Sequence, residues 1–376
     1  MRMKYIPYGR PLIEEDDMEA VIEVLKSDFI STGPKVTEFE RLFADYVGAK
    51  YAVAVSSGTA ALHCAYLAID LLSEDEVITT PMSFIATSNA AIYCGARIKF
   101  ADIQGDSLNV DTEYINKLIT SSTKVIVPVH FAGRPCEMDK ILEIAKQHNL
   151  YVIEDASHAL GASYKGKKIG SIGDMTTFSF HPVKHITTGE GGMITTNDEN
   201  IYHNLLKIRN HGIVKSHVPT NKGEWYYEQQ LLGYNYRLTD IQCALGISQL
   251  KKLDRWIKKR RELANYYNER LQLIEELEVP TMNKEHAWHL YIIKVKDPRH
   301  REKLFTFLRG KSIGVNVHYI PIHMQPYYQS IGYKKNTLPV AESVYEHIIT
   351  LPLHPSMTLS EADYIINSIE DYFNTF

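Results

Sequence analysis

YAVAVSSGTAALHCAYLAID, residues 51–70, sets a five-residue apolar run against a turn of small residues and then a helical stretch over 58–70. The same unit recurs down the chain. Apolar runs follow at EVITT (76–80), RIKFAD (97–102), KVIVPVH (124–130) and YVIEDAS (151–157), with helical stretches at 83–93 and 137–148. Short runs that are apolar at nearly every position suit strands covered on both faces, and strands separated by helices build parallel sheets through crossover connections. The expected fold is therefore α/β with a mainly parallel sheet. Two closer strands, TTFSF (176–180) and GMITT (192–196), have no full helix between them.

Upstream, DDMEAVIEVLKSD places Met18, Val21, Ile22 and Leu25 at the spacing of one helix face. A second helix is expected over roughly 36–47, stopped at Gly48. Near residue 238 the texture changes. A long helical region, about 239–273, carries Leu250, Leu253, Trp256 and Ile257 on one face, then the run KKRRE, which reads as a solvated helix face. Strand candidates HLYIIKV (289–295), VNVHYI (315–320) and IITLPL (348–353) alternate with further helices. This predicts a large unit over 1–238 and a small α+β unit over 239–376 that starts with the long linking helix.

The bulk numbers exclude several classes. A chain of 376 residues can bury a large core and a smaller one. Its 23% charged and 44% hydrophobic residues are ordinary for a globular protein, and a net charge of -4 lacks the basic excess of a nucleic-acid binder. No apolar run approaches the roughly 20 residues that span a bilayer. The start, MRMKYIPYGRPLIEEDD, has no apolar leader core. Cys64, Cys94, Cys136 and Cys243 form no CxxC pair, so a reduced, cytoplasmic protein is expected.

Four stretches carry chemistry. SSGTAAL (56–62) follows a strand and opens a helix, where free N–H groups and hydroxyls meet an anion; Ser and Thr also cap helices without any ligand. EDASHALGA (154–162) puts Asp155 at the carboxyl end of a buried strand, where open α/β sheets bind ligands and where it can hold a positive charge. TFSFHPVKHITTGEGGM (177–193) sets Lys184 in a turn between strands, a place from which a neutral amine forms a Schiff base. His181 and His185 invite a metal, but Pro182 disfavours the helix that would hold their spacing, and no third ligand stands nearby. GYNYRLTDIQCALG (233–246) precedes the long helix, with Thr239 or Asp240 as its cap. Together, an anion cradle, a strand-end aspartate and a turn lysine meet the needs of pyridoxal phosphate. A nicotinamide enzyme would want G-x-G-x-x-G after the first strand, and neither SSGTAA nor TGEGGM supplies it.

From YGRP at the amino end through SSGTAAL, TTPMSFIAT, EDASHALGA, FSFHPVKHITTGEGGM and GYNYRLTDIQCALG, the chain resembles the DegT/DnrJ/EryC1/StrS sugar aminotransferases. The resemblance implies the fold type I aminotransferase architecture and pyridoxal phosphate, cycling between its PLP and PMP forms. Position by position it implies Lys184 as the lysine linked to the cofactor and Asp155 as the partner of the pyridine nitrogen. Phe84 matches the ring stacked on the cofactor, and Gly58, Thr59 and Ser179 match the phosphate site. Asn235 matches an asparagine reaching the phosphate of a neighbouring subunit, so a homodimer with shared sites is implied. His158 stands where glutamine is commoner, within reach of the cofactor hydroxyl. Lysine rather than histidine at 184 favours transamination over dehydration. PMSFIAT, SHALGASY, SFHPVKHITT and VHYIPIH are similar to the pseudaminic-acid-pathway subgroup. That subgroup implies UDP-2-acetamido-2,6-dideoxy-β-L-arabino-hexos-4-ulose as substrate, aminated at C4 with L-glutamate as donor and 2-oxoglutarate as its product. Arg10, Arg237, His318 and Tyr319 are the expected contacts to the nucleotide sugar; the strand reading gives His318 and Tyr319 a packing role instead. The alternatives are the same chemistry on another UDP-, dTDP- or GDP-linked keto-sugar, and a cofactor-binding regulator without turnover. No metal, membrane or nucleic-acid partner is expected.

Overall fold

The computed structural model describes residues 5–215 and 223–375. Its main sheet has seven strands: β1 (Tyr51–Val55), β2 (Glu76–Thr79), β3 (Arg97–Phe100), β4 (Thr123–Val127), β5 (Tyr151–Asp155), β6 (Met175–Ser179) and β7 (Gly192–Thr196). They lie in the order β1-β7-β6-β5-β4-β2-β3. Only β7 runs against its neighbours, β1 and β6; every other pairing is parallel. The closely spaced pair TTFSF and GMITT is that antiparallel ladder.

Alternate residues of each strand enter different cores, which is why the strands read as continuous apolar runs. Val53, Val55, Val77, Val125, Val127 and Ile153 pack with α3 (Gly58–Ala68) and α4 (Ala86–Tyr93). On the other face, Ala52, Ala54 and Phe178 meet Phe39 and Phe43 of α2 (Pro34–Val47) and Cys243 and Ile247 of α6 (Asp240–Leu250), while Ile78, Ile126 and Val152 meet α5 (Met138–His148). Phe43 and Phe178 are fully buried and touch edge to face at 5.0 Å between centroids. A smaller antiparallel sheet joins β8 (Leu277–Glu278), β9 (Tyr291–Val295) and β10 (Ile348–Leu351). It packs on Leu263, Tyr267 and Leu271 of α7 (Leu253–Leu271).

The structure corrects four sequence expectations. In α1 (Glu15–Leu25) the apolar stripe faces outward: Met18, Ile22 and Leu25 are exposed, whereas Asp17 is fully buried. The cause is Asp17 itself, which accepts from Gln249 Nε2 at 2.7 Å and pairs with Lys252 Nζ at 2.7 Å, turning the polar side of α1 toward α6. The long helix over 239–273 is two helices, α6 and α7, broken at Lys251 and Lys252. In KKRRE, Arg260 is buried rather than solvated, because its Nη1 donates to the carbonyls of Trp288, His289 and Leu353. Finally, 315–320 is not a strand; it makes a single bridge, Asn316 to Thr350, before turning into the site. Among the described residues no helix is long and apolar enough to cross a membrane.

Candidate active site

A cavity of about 540 Å³ opens at the carboxyl end of the main sheet, against the small sheet's flank. Ser57, Gly58 and Thr59 come from the β1–α3 turn, Asp155, Ser157 and His158 from the end of β5, and Ser179, His181 and Lys184 from the end of β6. Phe84 and Thr87 come from the start of α4, and Asn316, His318 and Tyr319 close the far wall.

The anion cradle is local chemistry. Ser57 caps α3 by accepting from Ala60 N–H at 3.0 Å, which leaves the first-turn N–H groups of α3 facing the cavity. Gly58 is required there, since a Cβ on it would sit 2.8 Å from Ser179 Cβ and 3.1 Å from Ser179 Oγ. Gly58→Ala is therefore expected to push Ser179 out of line and weaken cofactor retention about tenfold or more, consistent with one lost charge-assisted hydrogen bond. Equilibrium dialysis against the cofactor measures it, and unchanged retention would move the phosphate elsewhere.

Lys184 is partly buried, and desolvation lowers its amine to about 8, against the opposing pull of the Asp155 carboxylate. Asp155 is also buried; its Oδ2 accepts from Thr87 Oγ1 at 2.7 Å and its Oδ1 from Ser157 N–H at 3.1 Å. Its neighbour Glu154 points through the opposite side of β5. There Glu154 accepts from His130 Nε2 (2.8 Å), Gly173 N–H (2.7 Å) and Thr176 Oγ1 (2.9 Å). His130 Nδ1 accepts from Cys136 N–H, which leaves Nε2 as the donor to Glu154.

His158 Nε2 meets Tyr319 Oη at 3.1 Å, and its ring lies 4.4 Å from that of His289. Burial, then the Lys184 charge, then His318, holds His158 well below the ordinary imidazole range. His158 Nδ1 is buried without a protein partner, so it is available to a bound group. His289 reaches the site because its N–H binds Ala132 O at 2.9 Å beside Gly133, whose φ of 101° no larger residue favours. His318 is pushed down to about 3, by burial first and Lys184 second. Its Nδ1 bonds Thr350 Oγ1 at 2.9 Å.

The structure thus brings Gly58, Thr59, Phe84, Asp155, His158, Ser179, Lys184, His318 and Tyr319 to one cavity. Arg10, Arg237 and Asn235 lie outside it. Arg10 Nε donates to Ser356 Oγ at 2.8 Å on the exposed side, and Arg237 Nη1 to Asn210 Oδ1 at 2.6 Å. Asn235 pairs through its backbone with Asn210. Lys184 is the one lysine or arginine among the described residues lining the cavity. Sequence reasoning missed Tyr8, Ser83, Thr87, His289 and Asn316; the i, i+4 hydroxyls of Ser83 and Thr87 in TTPMSFIAT were a signal within reach.

A capped helix end beside a glycine-sized gap, a partly buried amine of lowered basicity and a carboxylate in the same cavity fit pyridoxal phosphate, as does the unpartnered His158 nitrogen. Fold and pocket chemistry define a fold type I, pyridoxal-phosphate-dependent aminotransferase. Residues 11–370 match the DegT/DnrJ/EryC1/StrS aminotransferase family, and the chain belongs to that family. It is 39% identical to the UDP-4-amino-4,6-dideoxy-N-acetyl-beta-L-altrosamine transaminase of Campylobacter jejuni, with 97% of this chain and 96% of that one covered. Its fold superposes on Helicobacter pylori PseC, an aminotransferase involved in the biosynthesis of pseudoaminic acid, with a TM-score of 0.95 at 34% identity over 99% of this chain and 100% of that one. It is also similar to Streptococcus pneumoniae Spr1654 in its PLP form, with a TM-score of 0.91 at 31% identity over 98% of both chains.

Proposed function

We propose that this enzyme aminates C4 of a UDP-linked 4-keto-6-deoxy-N-acetylhexosamine with glutamate as donor. The observation that carries the reaction is the meeting of Lys184, Asp155 and the α3 cradle in one cavity. The sugar follows from the altrosamine transaminase of Campylobacter jejuni and the pseudoaminic acid enzyme PseC, both similar over nearly the whole chain.

Bound pyridoxal phosphate supplies an electron sink for the carbanion left when a proton leaves the amine-bearing carbon. In this reading Lys184 would anchor the cofactor and would carry the proton as base and acid; its lowered basicity suits both duties. Asp155 keeps the ring nitrogen protonated, because a nearby opposite charge favours the charged form. Gly58, Thr59 and Ser179 would hold the phosphate, Phe84 would stack on the ring, and His158 would bind the ring hydroxyl through Nδ1. His318 and Tyr319 face the sugar.

Among the described residues the cavity has one lysine or arginine, Lys184, which leaves a diphosphate short of positive charge. The second proposal answers this: a homodimer completes each site, with Asn235 reaching the partner's cofactor phosphate. Mixing inactive Asn235→Ala and Lys184→Ala subunits should recover activity in hybrids, and exchange without recovery would refute sharing.

The substrate reading is tested with a panel of UDP-, dTDP- and GDP-linked 4-keto sugars plus glutamate, followed by mass. Efficient turnover of the UDP-N-acetyl sugar is expected. Turnover of a dTDP or GDP sugar with none of the UDP sugar overturns the substrate and leaves the aminotransferase standing.

A further inference from the structure

The strand alone does not hold the Asp155 carboxylate. Thr87, 1% exposed, places Oγ1 2.7 Å from Asp155 Oδ2, and Ser83 Oγ lies 2.8 Å from Thr87 Oγ1. A carboxylate oxygen accepts, so Thr87 commits its one hydroxyl proton to Asp155, and Ser83 is left to donate to Thr87. The chain of hydrogen bonds is therefore directed: Ser83 to Thr87 to Asp155. Ser157 N–H meets the other oxygen, and two donors on two oxygens fix the plane of the carboxylate. The donor is itself held in place. Tyr66 Oη donates to the Thr87 carbonyl at 2.9 Å, and in the same turn of α4 Ser88 Oγ meets Tyr328 Oη.

We infer that Thr87 is a positioning residue for transamination: its hydroxyl, oriented by Ser83, sets the plane and basicity of the Asp155 carboxylate and so where the proton shared with the cofactor's ring nitrogen resides. The inference rests on the pairing of Asp155 with that nitrogen proposed above. A hydrogen bond donated to a carboxylate stabilises its charged form. Without it Asp155 is the stronger base, and the shared proton moves off the ring nitrogen toward the carboxylate. The titratable groups whose fields meet Asp155 are Lys184, Tyr66 and Tyr319, and Thr87→Val leaves all three in place. Valine keeps the shape of threonine and removes the donor.

The test loads wild type, Thr87→Val, Thr87→Ser and Asp155→Asn with cofactor labelled with nitrogen-15 in the ring. The ring-nitrogen resonance and the separate kcat and KM values are read from each holoenzyme. Thr87→Val should move the resonance toward the unprotonated position and lower kcat about tenfold, the worth of one hydrogen bond to a charged group, while KM stays within about twofold. Thr87→Ser should restore both. A Thr87→Val enzyme with the wild-type resonance and kcat overturns the inference, as does a serine variant that restores neither. If the valine variant does not fold, Ser83→Ala takes its place; a smaller shift in the same direction supports the chain, and none overturns it. An unmoved resonance in Asp155→Asn would sink the pairing itself. A resonance moved in Asp155→Asn but not in Thr87→Val leaves the pairing and removes only Thr87.

Discussion

Lys184→Ala should fold, bind the cofactor weakly and lose turnover by at least about 10⁴-fold. In the proposed function two roles go together at this residue: the covalent anchor, and the proton carrier, which alone is worth about 10²- to 10⁴-fold. Borohydride reduction of the native holoenzyme followed by peptide mapping should label Lys184, and a label on any other lysine overturns the assignment. The amine also gives the reaction a pH signature. Burial lowers it to about 8 from an ordinary 10.5, so its neutral fraction grows as pH rises through about 8. The rate at which cofactor-free protein captures the aldehyde should climb to that point and level off above it. The sign for stability runs the same way. Between about 8 and 10.5 the unfolded chain binds more protons at this residue than the folded one, so this contribution to folding stability increases with pH. Capture that keeps climbing to pH 10.5 would mean an exposed amine.

Asp155→Asn should leave the fold intact and slow turnover by about 10- to 10³-fold, the range that follows when a one- to three-unit pairing effect on the ring nitrogen is removed. The fold survives because the amide oxygen still accepts from Ser157 N–H, and the Thr87 hydroxyl can turn to accept from the new amide nitrogen. The loss should appear in kcat with the cofactor still bound. Near-normal turnover would reduce Asp155 to a local turn-former.

Much of this was legible in the sequence, for physical reasons. YAVAV and GMITT are strands over the very residues read, because a strand covered on both faces is built mostly of residues that can be buried. EDASH and HPVKH carry their chemistry at strand ends, and those ends converge wherever a parallel sheet forms. Three-dimensional choices left no such trace. The outward stripe of α1 follows from Asp17 finding Lys252 and Gln249, partners more than two hundred residues away. His289 enters the cavity only because the chain around Gly133 lets two backbones touch. Arg260 looked solvated by composition, and three distant carbonyls bury it.

The opposed directions of Glu154 and Asp155 have a consequence for anyone recombining this chain with its relatives. Strand β5 works as a ruler graduated in single residues, with one mark facing the cavity and the next facing the Glu154–His130 contact. Inserting or deleting one residue within 151–155 would exchange the two carboxylates, sending the longer one into the cavity and stranding His130 beside the shorter. Crossovers in chimeras should therefore fall at the left-handed turn of Asn149, which the strand does not measure, and the strand itself should be transplanted whole.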